Sequence, residues 1–130
     1  MSLMPDGLTE VLVLLALLQV KHCVADFFLL TPWMMAHRKV YLHPGGLAHV
    51  GVHLAGTAII LAAVGTPPVA LAAILAAEGI FHYHVDFAKA RLVDRQALDP
   101  GMSLYWYWLG VDQALHQISY LAMAAWWASA

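Results

Sequence analysis

Charge is what this chain has least of: only 11% of its 130 residues are Asp, Glu, Lys or Arg. A water-soluble domain carries about 25%, because its surface must be wetted. That shortage excludes a soluble enzyme and a disordered chain alike. Basic surplus is missing too, since six Lys and Arg face eight Asp and Glu for a formal net charge of −2. No nucleic-acid partner is therefore expected. The single cysteine, Cys23, forms no intrachain disulfide and leaves no thiolate set for a Cys-type zinc or iron–sulfur site. The amino terminus has Asp6 and Glu10 where a signal peptide would carry basic residues, so the first apolar run is expected to remain as a membrane helix. No internal repeat is evident, which gives an inverted-repeat transporter little support.

What is present is apolar: 62% hydrophobic residues and a mean hydropathy of +0.73. Four runs, about 8–30, 47–64, 68–92 and 105–127, each have the length that a helix needs to cross a bilayer. The expected fold is all-α, one domain over 1–130, a four-helix transmembrane bundle. Thr31-Pro32 is expected to stop the first helix and Pro44-Gly45-Gly46 to prepare the second. Gly65-Thr66-Pro67-Pro68 forms a turn, and Asp99-Pro100-Gly101 breaks the chain before the fourth helix. Arg38 and Lys39 lie in the first connection, and Lys89, Arg91 and Arg95 lie at or near the third. The positive-inside rule then places those connections in the cytoplasm and both termini on the other side, as expected of a multi-pass protein of a bacterial inner membrane. Trp106 and Trp108 at one end of the fourth run, with Trp126 and Trp127 at the other, match the two membrane interfaces.

Against this apolar background stand eight histidines, more than all Lys and Arg together. Ionisable residues recur four apart, which sets them on one helix face: His22 and Asp26; His49 and His53; Glu78, His82 and Asp86, with Lys89 a turn on; Asp112 and His116. Helix direction brings every pair into the cytoplasmic half, with Asp112 and His116 about 9 to 15 Å below Trp106. Five imidazoles and three carboxylates converging in a bundle core are the ligand set of a divalent metal, zinc first, with iron or manganese as alternatives. Eight donors exceed what one zinc takes, so either the site is dinuclear or some carboxylates orient the histidines.

Taken singly, each pair also fits neutral packing glue. His49 fits an interfacial residue, His37 and His43 solvated loop residues, and His84 a residue off the shared face. Lys21, inside the first run, fits either pairing with an acid or snorkelling. Gly51, Ala55 and Gly56 fit close helix approach without chemistry.

In order, the motifs are His-Cys-Val-Ala-Asp-Phe from His22, Thr-Pro-Trp-Met from Thr31 with Lys39 after it, and His-Val-Gly-Val-His from His49. His-Tyr-His-Val-Asp-Phe-Ala-Lys from His82 and Asp-Gln-Ala-Leu-His from Asp112 complete the set. Over nearly the whole chain this resembles a family of small bacterial membrane proteins known as domain of unknown function 3307. By that resemblance His22, Asp26, His49, His53, His82, Asp86, Lys89, Asp112, Gln113 and His116 are signature positions. Thr31-Pro32 departs from the family's more polar pair before the Trp. The family implies a fold and no activity.

The residues support three functions. The first is a metal-dependent membrane enzyme, foremost a zinc hydrolase of a lipid or membrane-peptide substrate. Its ligands are His22, His49, His53, His82 and His116, with Asp26, Asp86 and Asp112 as ligands or orienters, its general base is Glu78 or a non-ligating Asp, and Lys89 or Gln113 stabilises an oxyanion. The second is a dinuclear-iron oxidoreductase. The third is an accessory subunit, or a proton or metal carrier, of a membrane complex. A homodimer is compatible with the small-residue faces.

Overall fold

The computed structural model describes residues 7–129, so Asp6 lies outside the described residues. Among the described residues the chain is helical throughout, without a strand. Helix α1 spans Leu8–Cys23 and continues into a π-helical turn, Val24–Phe28; α2 is Pro32–His37, α3 Pro44–Ala63, α4 Pro68–Arg95 and α5 Ser103–Ser129. The long helices fall within a few residues of the four apolar runs.

Proline punctuates this chain. It occupies the first helical turn of α2, α3 and α4, where its missing N–H costs nothing. Thr31 caps α2 by accepting from the Met34 amide at 3.2 Å, and His43 caps α3 by accepting from the Gly45 amide at 3.0 Å. The expectation that Thr31-Pro32 only ends a helix is thus incomplete: the same dipeptide starts the short α2. The expected turns are present. Gly65 closes α3 at φ +75°, and Asp99 accepts from the Gly101 amide at 2.7 Å before α5.

The four long helices pack in a ring, α1 against α3 and α5, and α4 against the same two. Each presents to the centre a stripe spaced by about four residues: Leu14, Leu18 and His22 on α1; His49, His53, Thr57 and Leu61 on α3; Ile74, Glu78, His82 and Asp86 on α4; Asp112, His116, Tyr120 and Ala124 on α5. The stripes change character together along the axis. One end is an apolar layer of Leu14, Leu18, Leu61, Ile74 and Ala124. A layer of Lys21, Thr57, Glu78 and Tyr120 follows, and histidines and aspartates fill the other end.

Outward faces are the reverse of a soluble protein's. Phe27, Phe28, Ile59, Val69, Ile80, Tyr107, Ile118 and Leu121 are all more than half exposed while Lys21, Glu78, Asp86 and Asp112 are buried between the helices. Three helical segments, Leu8–Phe28, Pro44–Ala63 and Pro68–Arg95, are long and apolar enough to cross a membrane. Helix α5 is equally long but stands outside those three, its hydropathy lowered by Asp112, Gln113, His116, Gln117 and its Trp and Tyr residues.

Candidate metal centre

The polar half of the core begins at Lys21. Its ammonium has three protons, and the structure gives it three acceptors: Glu78 Oε1 at 2.9 Å, Tyr120 Oη at 3.0 Å and His53 Nδ1 at 3.3 Å. Room for the lysine stem comes from Gly56, where a Cβ would stand 2.6 Å from Lys21 Cγ. Gly56 therefore serves the polar core, whereas Gly51, which faces open space, does not. Thr57 donates to the same Glu78 oxygen at 3.0 Å, so that oxygen is fully engaged.

Hydrogen-bond direction propagates from there. Gln113 Oε1 can only accept, so His22 Nε2 donates to it at 2.9 Å, and Nδ1 of the neutral ring accepts from Tyr120 at 2.8 Å while the Tyr120 oxygen accepts from Lys21. The Gln113 amide then donates to Asp26 Oδ2 and Asp112 Oδ2, each at 3.2 Å. His53 accepts at Nδ1, so its Nε2 donates to Asp26 Oδ1 at 2.8 Å. Side chains remote from the ligand atoms thereby fix the tautomers of two histidines.

Beyond this frame lie two overlapping groups whose donor atoms fall within 4.8 Å of one another: Asp26, His49, His53 and His82; and His82, Asp86 and His116. His82 belongs to both. Asp86 also joins them, with Oδ1 3.0 Å from His116 Nε2 and Oδ2 3.0 Å from His82 Nε2 and 3.4 Å from His49 Nε2. Around a tetrahedral zinc with bonds of about 2.0–2.1 Å, neighbouring donor atoms stand roughly 3.3 Å apart. The shortest separations here, 2.8–3.4 Å, are compatible with a ligand shell.

Two further observations favour a cation. His82 Nε2 and Asp86 Oδ2 are 3.0 Å apart and buried, yet neither makes a hydrogen bond; Asp112 Oδ1, 3.2 Å from His116 Nε2, is likewise unpartnered. Buried polar atoms without partners are costly, and an ion bound among them would satisfy them. Charge points the same way. Glu78 is balanced by Lys21, but Asp26, Asp86 and Asp112 have one ammonium among them, Lys89, 3.5 Å from Asp112. Two negative charges remain in an apolar surround, which a divalent cation neutralises; without one, two of the histidines must carry protons.

Of the eight residues expected as ligands, six stand in the two groups. His22 and Asp112 stand beside them, His22 bonded to Tyr120 and Gln113, and Asp112 to Gln113 and Lys89. His49, read as a candidate interfacial residue, is 2% exposed and central. Glu78, expected as a general base, has one oxygen held by Lys21 and Thr57 and only Oε2 free. Gln113 and Lys89 touch the aspartates. His84 is exposed and bonds Tyr41, off the cluster as expected, while His37 and His43 stack on each other at 4.0 Å and are half-buried rather than solvated. Two residues were missed as site members. Tyr120 lies one turn beyond His116 on the same face, and Thr57 one turn beyond His53, so the four-residue spacing reaches both.

The sequence profile of the family described as "Protein of unknown function (DUF3307)" matches residues 13–130, and the chain belongs to that family. No curated protein and no solved structure matches the chain.

Proposed function

We propose, for this member of the family, an integral membrane metalloprotein whose four long helices all span the bilayer. Its His/Asp chamber lies toward the cytoplasmic face of a bacterial inner membrane, with both termini opposite. The arrangement of basic residues supports the orientation, since Arg38, Lys39, Lys89, Arg91 and Arg95 all lie at the chamber's end of the bundle. Trp106 and Trp126 bracket α5 at its two ends and are about half exposed, as interfacial anchors are.

The observation that carries the reading is three buried or nearly buried aspartates with one ammonium among them, set against histidine nitrogens at 2.8–3.4 Å. The chamber takes one or two divalent ions, zinc foremost and iron or manganese alternatively. Were two ions held, Asp86, whose oxygens approach His82 and His116 separately, would be available to both groups. A metal held there supplies Lewis-acid activation of water, and hydrolysis of a membrane-embedded substrate is the chemistry that such a site serves best. This chain's own groups then have defined tasks. Lys21 and Tyr120 face Nδ1 of His53 and His22, whose Nε2 protons point to Asp26 and Gln113, Gln113 spans Asp26 and Asp112, and Lys89 sets a positive charge beside Asp112 for a developing oxyanion.

One observation favours a second reading. The buried path from Glu78 through Lys21 to His53 and Asp26 is unbroken, which is how a proton relay of a larger membrane complex is built.

Elemental analysis of the gently purified, detergent-solubilised protein separates these readings. One or two equivalents of zinc are expected in the wild type, nearly none in His82→Ala, which belongs to both groups, and a reduced content in Asp86→Asn. Coloured, redox-active iron would move the assignment to an oxidoreductase. Absence of stoichiometric metal after reconstitution with zinc, iron and manganese would overturn the metalloprotein reading and leave the relay.

A further inference from the structure

Two cavities share Lys89, and one of them is also lined by Asp112. The first, of about 460 Å³, lies between the α2–α3 connection, the end of α4 and the start of α5, and is lined by Arg38, Lys39, Lys89, Asp94 and Tyr105 among others. Lys39 is engaged with Asp94 at 2.6 Å and Lys89 with Asp112. Arg38 takes part in no ion pair among the described residues, and its Nε is buried without a hydrogen-bond partner. An unpaired guanidinium at the wall of a cavity that two lysines also line suits a phosphate, whose oxygens match its fork of N–H groups.

The second cavity, of about 490 Å³, is a groove along α4 and α5 walled by Phe81, Val85, Leu92, Val111 and Leu115, with Trp108, Lys89 and Asp112 also lining it. Ile80, on its outer wall, is 66% exposed, so the groove opens on the apolar outer face of the bundle. It has few polar groups. An extended peptide lying there would leave its backbone N–H and C=O groups unpaired, whereas a hydrocarbon chain has none to satisfy.

We propose that the two cavities form one binding site for a phosphate-bearing membrane lipid, with the phosphate on Arg38 and Lys89 and the hydrocarbon chain between α4 and α5. Because Lys89 and Asp112 line the groove and contact one another, the bond next to the phosphate lies beside the His/Asp chamber. This names a substrate class for the hydrolase and in that respect rests on it, but binding itself needs no metal.

The test uses the full chain in neutral detergent, with chelator and again after zinc loading. Its probes are dioleoyl phosphatidic acid, the chain-matched diacylglycerol, inorganic phosphate and an apolar transmembrane peptide. Phosphatidic acid is expected to bind at least about tenfold more tightly than diacylglycerol, with Arg38→Gln removing most of that preference. Filling the groove with Val85→Trp is expected to weaken both lipids while leaving the preference intact. Equal binding of the two lipids, or an unaltered preference in Arg38→Gln, would overturn the headgroup site. Inorganic phosphate binding as tightly as the lipid would make it a free-phosphate site, and peptide binding in place of lipid would refute the lipid assignment. Loss of zinc binding with the lipid preference intact would sink the hydrolase and leave this site standing.

Discussion

The Lys21–Glu78 pair allows the sharpest prediction. Both side chains are almost fully enclosed, with Nζ and Oε1 2.9 Å apart. At an effective dielectric of about 20 their attraction is about 6 kcal/mol, offset by the desolvation of both ions. The net worth of the pair is therefore small, but either partner alone is a buried, uncompensated charge. Lys21→Met is expected to destabilise the protein by about 3–5 kcal/mol, and Glu78→Gln by a similar amount. The double variant should recover most of that loss, because a neutral amide still accepts from Thr57 and the methionine fills the space beside Gly56. Unfolding titrations in mixed detergent micelles read the cycle, and the coupling between the two sites should exceed about 2 kcal/mol. The double variant also separates fold from function. It lacks the ammonium that holds the His53 ring proton on Nε2, so Nδ1 can carry that proton and leave Nε2 open to a metal; its zinc affinity should be at least that of wild type while its stability stays near wild type. Single variants within about 1 kcal/mol of wild type, or simple additivity, would refute the electrostatic reasoning.

Other expectations follow from the same geometry. Zinc binding should release protons, because the histidines that neutralise the aspartates in the metal-free protein must give up their added protons; affinity should fall steeply from about pH 8 to about pH 6, and calorimetry in buffers of different ionisation enthalpy counts the protons. Gly56→Leu is expected to cost at least about 1–3 kcal/mol by crowding Lys21, whereas Gly51→Leu, facing open space, should be near neutral in the same unfolding assay. At the opposite end Trp127 Nε1 donates to the buried Thr66 hydroxyl at 3.0 Å, so Thr66→Val should cost about 1 kcal/mol and leave metal content unchanged.

The sequence determined more of this protein than is usual, for a physical reason. In a bilayer every spanning segment must satisfy its own backbone, so long apolar runs define helices, and an ionisable residue inside one is too costly to be incidental. The runs about 47–64 and 68–92 match α3 and α4 within three residues at each end, and the four-residue spacing identified the stripe that faces the core. Family membership followed from the same residues in order.

Tertiary structure decided what spacing alone leaves open. His53 and Lys21 are 32 residues apart in sequence, Lys21 and Tyr120 are 99 apart, and nothing local couples them. Only packing shows that Lys21 pairs with Glu78 rather than snorkelling, that His49 is central rather than interfacial, and that Gly56 exists to admit a lysine stem. Which carboxylate stands between the two groups was equally illegible. His22–Asp26 and His82–Asp86 have the same spacing, yet Asp26 is held by Gln113 while one oxygen of Asp86 is left without a hydrogen bond. Helix periodicity fixes the face on which a donor stands; the azimuth and depth of the three neighbouring helices fix what it meets there.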